Sequence, residues 1–417
     1  MEVLRHCFPP SVRRVLEELP DSLDETYERI LREIRKSNQG LAHRLMQCLV
    51  AAVRPLQVDE LAEVLSFDFN AEGIPNLNPN WRWEDQEEAV MSACSSLVTI
   101  VKDEDSRIVQ FSHFSVKEFL TADRLVDPIR DVSRYHIELE GAHTILAQAC
   151  IGVLLRLDNH VDRDKIEDFP LARYAAEYWA RHGKFGSVSA RVKDGMEYLF
   201  DEDKPYFATW LWIFDEEHGI RLLTMRPEKP KSVPLYHAAR LGFRDLARHL
   251  IAEHPEHVNA RSAMHTAVER GHTDIVSLLI EHDADVDSRD DYGATPLHHA
   301  PDGGKLDIGQ CLLDHGAEIN ARDNEGLTPL FDAARVGHAK FAEMLLERGA
   351  EIDFRTKQGI TPLIRAVQSR KIEVVRLLLK HGADVHARDK SGRTPSQYTT
   401  ELDILELLSE YGADSVR

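Results

Sequence analysis

The feature that most constrains this chain is a ladder of helix starts. The stretch Ala294-Thr295-Pro296-Leu297-His298-His299-Ala300 returns as Thr328-Pro329-Leu330, Thr361-Pro362-Leu363 and Thr394-Pro395, each 33 residues after the one before. Ser262-Ala263-Met264-His265 stands 33 residues before Thr295. A weaker copy, Val233-Pro234-Leu235-Tyr236-His237-Ala238-Ala239, lies 29 residues earlier again. A fixed period of this size requires a stack of like units, because one such unit cannot bury its own apolar face.

Each rung has a mechanical reason. Thr caps a helix by accepting a backbone N–H. Pro suits the first helical position, where its missing donor costs nothing. Leu and Ala build a narrow apolar face. Gly242, Gly271, Gly304 and Gly337 fall nine residues after each cap, where the helix must stop. A second, more apolar helix follows, as in Ile275–Leu279, Phe341–Leu346 and Val374–Leu379. Gly316, Gly349, Gly382 and Gly412 end it, and Asp-rich hairpin tips lead to the next cap. The Thr-Pro-Leu-His-x-Ala pattern at this period resembles ankyrin repeats. Residues 232–417 are therefore expected to form an ankyrin solenoid of about six repeats. The first and last are atypical, as ends that face water must be. In the third, Pro301-Asp302-Gly303-Gly304 interrupts the first helix, which is expected to be short or kinked.

Length and charge bound the remainder. At 417 residues the chain has room for two or three domains. Net charge is −20, which argues against nonspecific attraction to nucleic acid or anionic membrane. Five scattered cysteines, without a CxxC pair, read as reduced thiols of an intracellular protein. Met1 to Pro10 lacks the apolar core of a signal peptide, and the apolar run Ile145–Leu155 is too short to span a bilayer. The expected compartment is the cytoplasm, with the nucleus as the alternative.

Residues 1–128 read as helices followed by a β-hairpin. Helices open at Leu19–Tyr27, Leu41–Val50, Val58–Leu65 and Glu87–Ala93; β-rich runs at Leu97–Val101 and Arg107–Ser112 flank a polar turn. A winged helix is the natural expectation. Residues 129–231 are mainly helical and aromatic-rich, with Ala172, Ala175, Ala176 and Trp179 on one face. The whole chain is thus expected to be mainly α: winged-helix domain with a small hairpin, helical linker domain, ankyrin domain.

Three motifs sharpen this. Leu19-Pro20-x-x-Leu23-Asp24-Glu25-Thr26-Tyr27, Pro55-Leu56-x-x-x-Glu60-Leu61 and Phe111–Leu120 resemble the winged-helix segment that follows the nucleotide-binding module of fungal NACHT–ankyrin (NLR-like) proteins. The same unit occurs beside GPI inositol-deacylase-like sequences. The resemblance implies the C-terminal part of such a protein, with a NACHT module as partner in cis or trans. That module is expected to have been lost or to lie outside this sequence.

Motifs for chemistry fail on inspection. A phosphate loop needs Gly-x-x-x-x-Gly-Lys-Ser/Thr; Gly303-Gly304-Lys305 is followed by Leu306 and lacks the first glycine. His249, His254, His257, His265 and His272 cluster in sequence, but no His-x-x-x-His pair stands beside an acidic residue, and no metal is expected. His113, Ser115 and Glu118 lie close together without a Gly-x-Ser-x-Gly elbow. The helix from Ser115 to Arg124 carries only Lys117 and Arg124 against Glu118 and Asp123, where a DNA-reading helix must be basic. The expectation is a chain without catalytic residues or cofactor, acting as a scaffold or sensor arm; an accessory part of a nucleotide-hydrolysing complex and winged-helix DNA binding are the alternatives.

Charge in the repeats is uneven. Glu281–Glu325 carries twelve acidic and three basic residues, and Phe354–Arg393 ten basic and three acidic. Ankyrin proteins bind partners with hairpin tips and inner helices. The resemblance places Asp291, Tyr292, His299, Asp302, Asn324, Glu325, Asp332, Arg335, Lys357, Arg365, Gln368 and Lys390 on the concave face. Tyr292 and the arginines are the expected anchors.

Overall fold

The computed structural model describes residues 22–69, 74–78, 85–94, 96–103, 106–126, 131–158, 165–214, 232–260 and 262–413. The chain divides into two compact units, Met1–Pro230 and Lys231–Arg417. Among the described residues no helix is long and apolar enough to cross a membrane.

In the first unit, α1 (Leu23–Glu33) starts at Ser22, whose side chain accepts from the Glu25 N–H. Asp24 and Glu25 sit in its first turn and Arg32 in its last, as the helix dipole favours. Arg35 and Lys36 lie past its end. Next come α2 (Gln39–Ala51), β1 (Leu56–Gln57) and α3 (Val58–Leu65). The run after α3 contains a short antiparallel pair, β2 (Phe67–Asp68) with β3 (Asn76–Leu77). After α4 (Gln86–Cys94), the expected hairpin forms as β4 (Val98–Asp103) and β5 (Ser106–Phe111), and α5 (Phe114–Leu120) follows. β1 adds to the free edge of β5, with Leu56 opposite Val109, giving the sheet order β1–β5–β4. Helices with a three-stranded wing are a winged-helix arrangement.

Glu60 explains the second resemblance motif. Its carboxylate accepts from the Gln57 backbone N–H at 2.8 Å, capping α3. It also takes a bidentate bond from Arg54 at 2.8 and 2.6 Å, while only 3 % exposed. Burial of a carboxylate is tolerated when each oxygen is answered in this way. Arg54 in turn lies over the Tyr174 ring.

Helices α6 (Leu139–Leu154) and α7 (Ala172–Gly183) pack on each other and α6 packs on α2. The alanine and tryptophan face of α7 is buried, as its spacing predicts. Beyond α8 (Val188–Arg191) and α9 (Lys193–Leu199), α10 (Tyr206–Phe214) brings Trp210 against Trp179, Phe200 and Phe207. The Trp210 indole N–H donates to the Ala176 carbonyl at 3.1 Å. Each such side chain contributes roughly 1.5–3 kcal/mol by burial.

One polar thread crosses this core. The Val53 N–H donates to the Tyr174 hydroxyl, which lies 2.9 Å from His182 Nε2; His182 Nδ1 lies 2.8 Å from His143 Nδ1. His182 is fully buried, and burial lowers its pKa to about 3.

Among its described residues the second unit holds five α-helix pairs, α11 (Pro234–Leu241) with α12 (Arg244–Glu253), α13 (Ala263–Arg270) with α14 (Thr273–Glu281), α15 (Pro296–His299) with α16 (Leu306–Asp314), α17 (Pro329–Val336) with α18 (Ala339–Glu347) and α19 (Pro362–Gln368) with α20 (Ile372–Lys380), and then a 3₁₀ turn (Pro395–Tyr398) with α21 (Leu402–Glu410). The third rung is short: α15 has four residues, against eight in α17. Thr328 and Thr361 accept from the N–H three residues on, at 3.4 and 3.3 Å.

The period sets a left-handed backbone at three places in the repeat: one after the first helix, one after the second, and one at the hairpin glycines Gly293, Gly326, Gly359 and Gly392 (φ 74° to 81°). Gly242, Gly271, Gly304 and Gly337 take the first, with φ from 65° to 98°. Arg370 takes it in the fifth repeat, at φ 56°. Gly316, Gly349, Gly382 and Gly412 take the second, and Asp283 stands in for glycine there at φ 61°. Stacking neighbours hold these two residues where a side chain is disfavoured.

Arg370→Gly is therefore expected to stabilise the chain by about 0.5–1 kcal/mol in denaturant unfolding. Its surface ion pair with Glu401 is a small loss. The reverse change, Gly359→Ala, is expected to cost about 1–3 kcal/mol: φ there is 77°, and an added Cβ would meet the Lys390 backbone nitrogen at 3.0 Å.

His182 and buried His237 both have pKa values lowered by burial to about 3, against 6.5 unfolded. Between those values the unfolded chain binds more protons, so stability is fully present above pH 6.5 and falls as pH drops through the window. Between about pH 5 and 6.5 these two imidazoles outweigh the raised carboxyl of Asp332, so unfolding free energy is expected to rise with pH, and His182→Gln to flatten that slope. A flat wild-type profile would show that these imidazoles charge freely in the fold.

Candidate functional site

The hairpins between repeats are built alike from their sequence. In the tip Asp290–Ala294, the Asp290 carboxylate accepts from the N–H groups of Tyr292 and Ala294, and its own N–H donates to the Ala294 carbonyl. Asp323 and Asp389 repeat the pattern, and the Thr356 hydroxyl replaces it. Adjacent tips are tied by backbone bonds, Asn324 N–H to Tyr292 O and Lys390 N–H to Gln358 O, both 2.9 Å. Lys357 Nζ donates to the Asn324 carbonyl at 2.5 Å. Lower down, Asn259, Asp287, Asn320 and Asp353 each accept from a backbone N–H of the next repeat. The tips are thus fixed in register.

On this frame the twelve expected residues fall into two rows. Asp291, Tyr292, Asn324, Glu325, Lys357 and Lys390 are exposed at the tips. Tyr292 is 77 % exposed, the largest value among the exposed large apolar side chains described. The second row lies at the first helices of the repeats. Asp302 and Arg335 are exposed, His299, Arg365 and Gln368 are half-buried, and Asp332 is buried.

That second row is internally paired. Arg335 lies 3.2 Å from Asp332 Oδ1 and 3.5 Å from Asp302 Oδ1. Arg365 donates to Gln368 Oε1 at 3.3 Å and stands over the Phe331 ring, while its buried Nε has no partner. Asp389, beyond it, is held by Arg393 and by a short bond from the Tyr398 hydroxyl. Burial raises the Asp332 carboxyl to about 6 despite Arg335.

The histidines divide by role. His298 completes a capping box with Thr295: the Thr295 N–H donates to its Nδ1, and its Nε2 lies 3.1 Å from the Leu327 carbonyl. His265 makes only the second bond, Nε2 to Ala294 O at 3.0 Å. Ser262 before it adopts φ 81° and provides no side-chain cap, so Nδ1 has no partner. Sequence spacing also hides that one ligand-type atom each of His265, Asp290 and His299 lies within 4.8 Å of the others. They come from two repeats and the hairpin between, not from one helix.

In the first unit His113 Nδ1 lies 2.6 Å from Ser115 Oγ, and the Tyr27 hydroxyl lies 2.7 Å from the same oxygen. The Ser115 N–H also donates to the ring, so the trio fastens the start of α5 to α1. Arg107, on the wing, is held by Glu87 at 2.8 Å and faces Asp59 at 3.9 Å.

Asp332 has a folded pKa above its unfolded value of 3.8, so the native state holds the extra proton and stability falls as pH rises from there through about 6. Asp332→Asn, whose amide oxygen can still accept from Arg335, is expected to be about 1–3 kcal/mol more stable than the parent at pH 8. The difference is expected to vanish near pH 4.

Comparison with known proteins agrees with both units. The ankyrin-repeat family matches in overlapping copies over residues 235–323, 284–356, 320–389 and 349–417. The GPI inositol-deacylase winged-helix domain matches residues 27–129. Azaphilone pigments biosynthesis cluster protein L of Monascus ruber is 33 % identical over 296 residues, 65 % of this chain and 61 % of that protein. Ankyrin repeat and SOCS box protein 16 of Mus musculus is 37 % identical over 84 residues, 19 % of this chain and 18 % of that protein. BCL-6 corepressor-like protein 1 of Mus musculus is 38 % identical over 68 residues, 15 % of this chain and 4 % of that protein. This chain thus spans less than two thirds of each of these relatives. It carries a winged-helix domain of the GPI inositol-deacylase type and, after it, an array of ankyrin repeats.

Proposed function

We propose that this chain is a non-catalytic scaffold or sensor arm that captures a protein partner on the hairpin tips and first helices of its ankyrin repeats. The observation that carries the reading is the register of exposed tip residues on a backbone-bonded frame. Asp291, Tyr292, Asn324, Glu325, Lys357 and Lys390 recur at the repeat spacing, change from acidic to basic along the array, and hold one exposed aromatic anchor. A rigid frame lowers the ordering cost of binding, and the charge gradient selects orientation. Arg335, Arg365 and Gln368 extend the face inward.

The finer reading is the C-terminal arm of an NLR-like signalling protein. There the winged helix would rest on a NACHT module, in cis or in trans, and report its nucleotide state to the repeats, in the cytoplasm or nucleus. The winged-helix match and the winged helix–ankyrin order support it. DNA binding is disfavoured, since Arg107 is already answered by carboxylates and the chain carries net −20.

Affinity capture with the full chain tests the face. Proteins retained by the parent are expected to be lost from the Tyr292→Ala/Arg335→Ala/Arg365→Ala variant, with far-ultraviolet dichroism unchanged. Unaltered capture would remove this face from consideration. Titration with ATP is expected to show no saturable binding; a micromolar dissociation constant would favour the nucleotide-hydrolysing alternative.

A further inference from the structure

The second and third ankyrin repeats bring together three side chains that the binding reading does not need as a group. His265 lies in α13, Asp290 opens the hairpin, and His299 ends the short α15. One ligand atom from each lies within 4.8 Å of the other two. His265 is 4 % exposed; Asp290 and His299 are half-buried, so solvent reaches the group from one side.

Two details mark these groups as incompletely answered by protein. The first is at His265. With its proton on Nε2 it donates to the Ala294 carbonyl and leaves Nδ1 a bare, buried lone pair. With the proton on Nδ1, the lone pair passes to Nε2. There it would face the Ala294 carbonyl oxygen, so the fold holds the first tautomer and Nδ1 is the nitrogen left without a donor. The equivalent nitrogen of His298 is instead capped by Thr295.

The second is at His299. Its Nε2 lies 2.9 Å from Asp290 Oδ2 and its Nδ1 3.5 Å from Glu269 Oε1. A neutral imidazole has one N–H and can donate to one carboxylate only. With that proton on Nε2 toward Asp290, Nδ1 carries a lone pair, and the half-exposed Glu269 carboxylate stands beside it. The surrounding tract, with twelve acidic and three basic residues from Glu281 to Glu325, adds attraction for a cation.

We propose that His265, Asp290 and His299 bind one borderline divalent metal ion of the Zn²⁺ class, which pins the third repeat to the second. Two imidazoles and a carboxylate are the donor set such ions favour over Mg²⁺ or Ca²⁺, which prefer all-oxygen sites. Glu269 or water completes the shell. The ion's place is structural: α15 is four residues long and ends at His299, two residues before Pro301, so this rung has little helix to hold it.

The test uses the full chain, freed of metal by chelator, and Co²⁺ or Zn²⁺ alone. Co²⁺ is expected to produce the visible bands of a low-coordinate nitrogen–oxygen site, displaced by one equivalent of Zn²⁺. His299→Leu and Asp290→Asn are each expected to lower the bound Zn²⁺ by one equivalent and remove the bands while the far-ultraviolet dichroism is kept. A hundredfold excess of Zn²⁺ over its dissociation constant is expected to raise the ankyrin melting midpoint by roughly 5–10 °C in the parent and not in His299→Leu. It is also expected to slow amide exchange in residues 294–302. Absence of the cobalt bands, or Zn²⁺ binding and stabilisation that survive both substitutions, would overturn the proposal and assign the metal to scattered surface histidines. Mg²⁺ competing equally with Zn²⁺ would overturn the donor-set argument.

Discussion

The ankyrin unit rests on an apolar face that no single repeat can close. Each rung presents small residues on its first helix, such as Ala238, Ala267, Ala300, Ala333 and Ala366, and large ones on its second, such as Leu250, Leu279, Leu312, Leu345 and Leu378, all buried. Small side chains let the first helices approach closely, and the next repeat supplies the missing neighbours. The left-handed turns, the Asn and Asp acceptors and the backbone bonds between tips then have one spacing that satisfies them all. Even Arg370 and Asp283 are carried into backbone conformations that favour glycine. Local preference yields to the stack.

The first unit solves a different problem, that of holding polar groups inside a helical core. Glu60 is accepted there because Arg54 and the Gln57 N–H answer it, and Arg54 is shielded by Tyr174. Tyr174 belongs in turn to the thread from Val53 to His143. A helix cap, a cation over an aromatic ring and an imidazole pair, buried at His182, form one connected set between the winged helix and the helices that follow. Half-satisfied networks are costly, so such a set specifies one arrangement of these helices.

Much of this is legible in the sequence. The 33-residue ladder fixes the repeats, their caps and the interrupted third helix, because cap, proline and glycine recur at one spacing. The hairpin Val98–Phe111 is legible from its β-rich runs. What is missed is short or non-local. β1 has only two residues, Leu56 and Gln57, and exists because β5 offers a free edge. Arg370 gives no signal of a left-handed turn except that its place in the period belongs to glycine. His265, Asp290 and His299 lie at no helical spacing, and only stacking brings them together. Asp332 belongs to the expected binding residues by position, yet its carboxyl is turned into burial against Arg335.

The shortened α15 also bears on cooperativity. A stack of repeats behaves as a line of units, each coupled to its two neighbours, and its unfolding breaks where that coupling is weakest. Four helical residues couple less surface than eight. The weakest coupling is therefore expected at this rung, a seam between a first block ending with α14 and a second beginning with α17. The acidic tip carrying Asp291 and Tyr292 sits on the seam, and the basic tips of Lys357 and Lys390 sit within the second block. A ligand that touches both would weld the blocks, so its binding energy would register as mechanical continuity along the whole array.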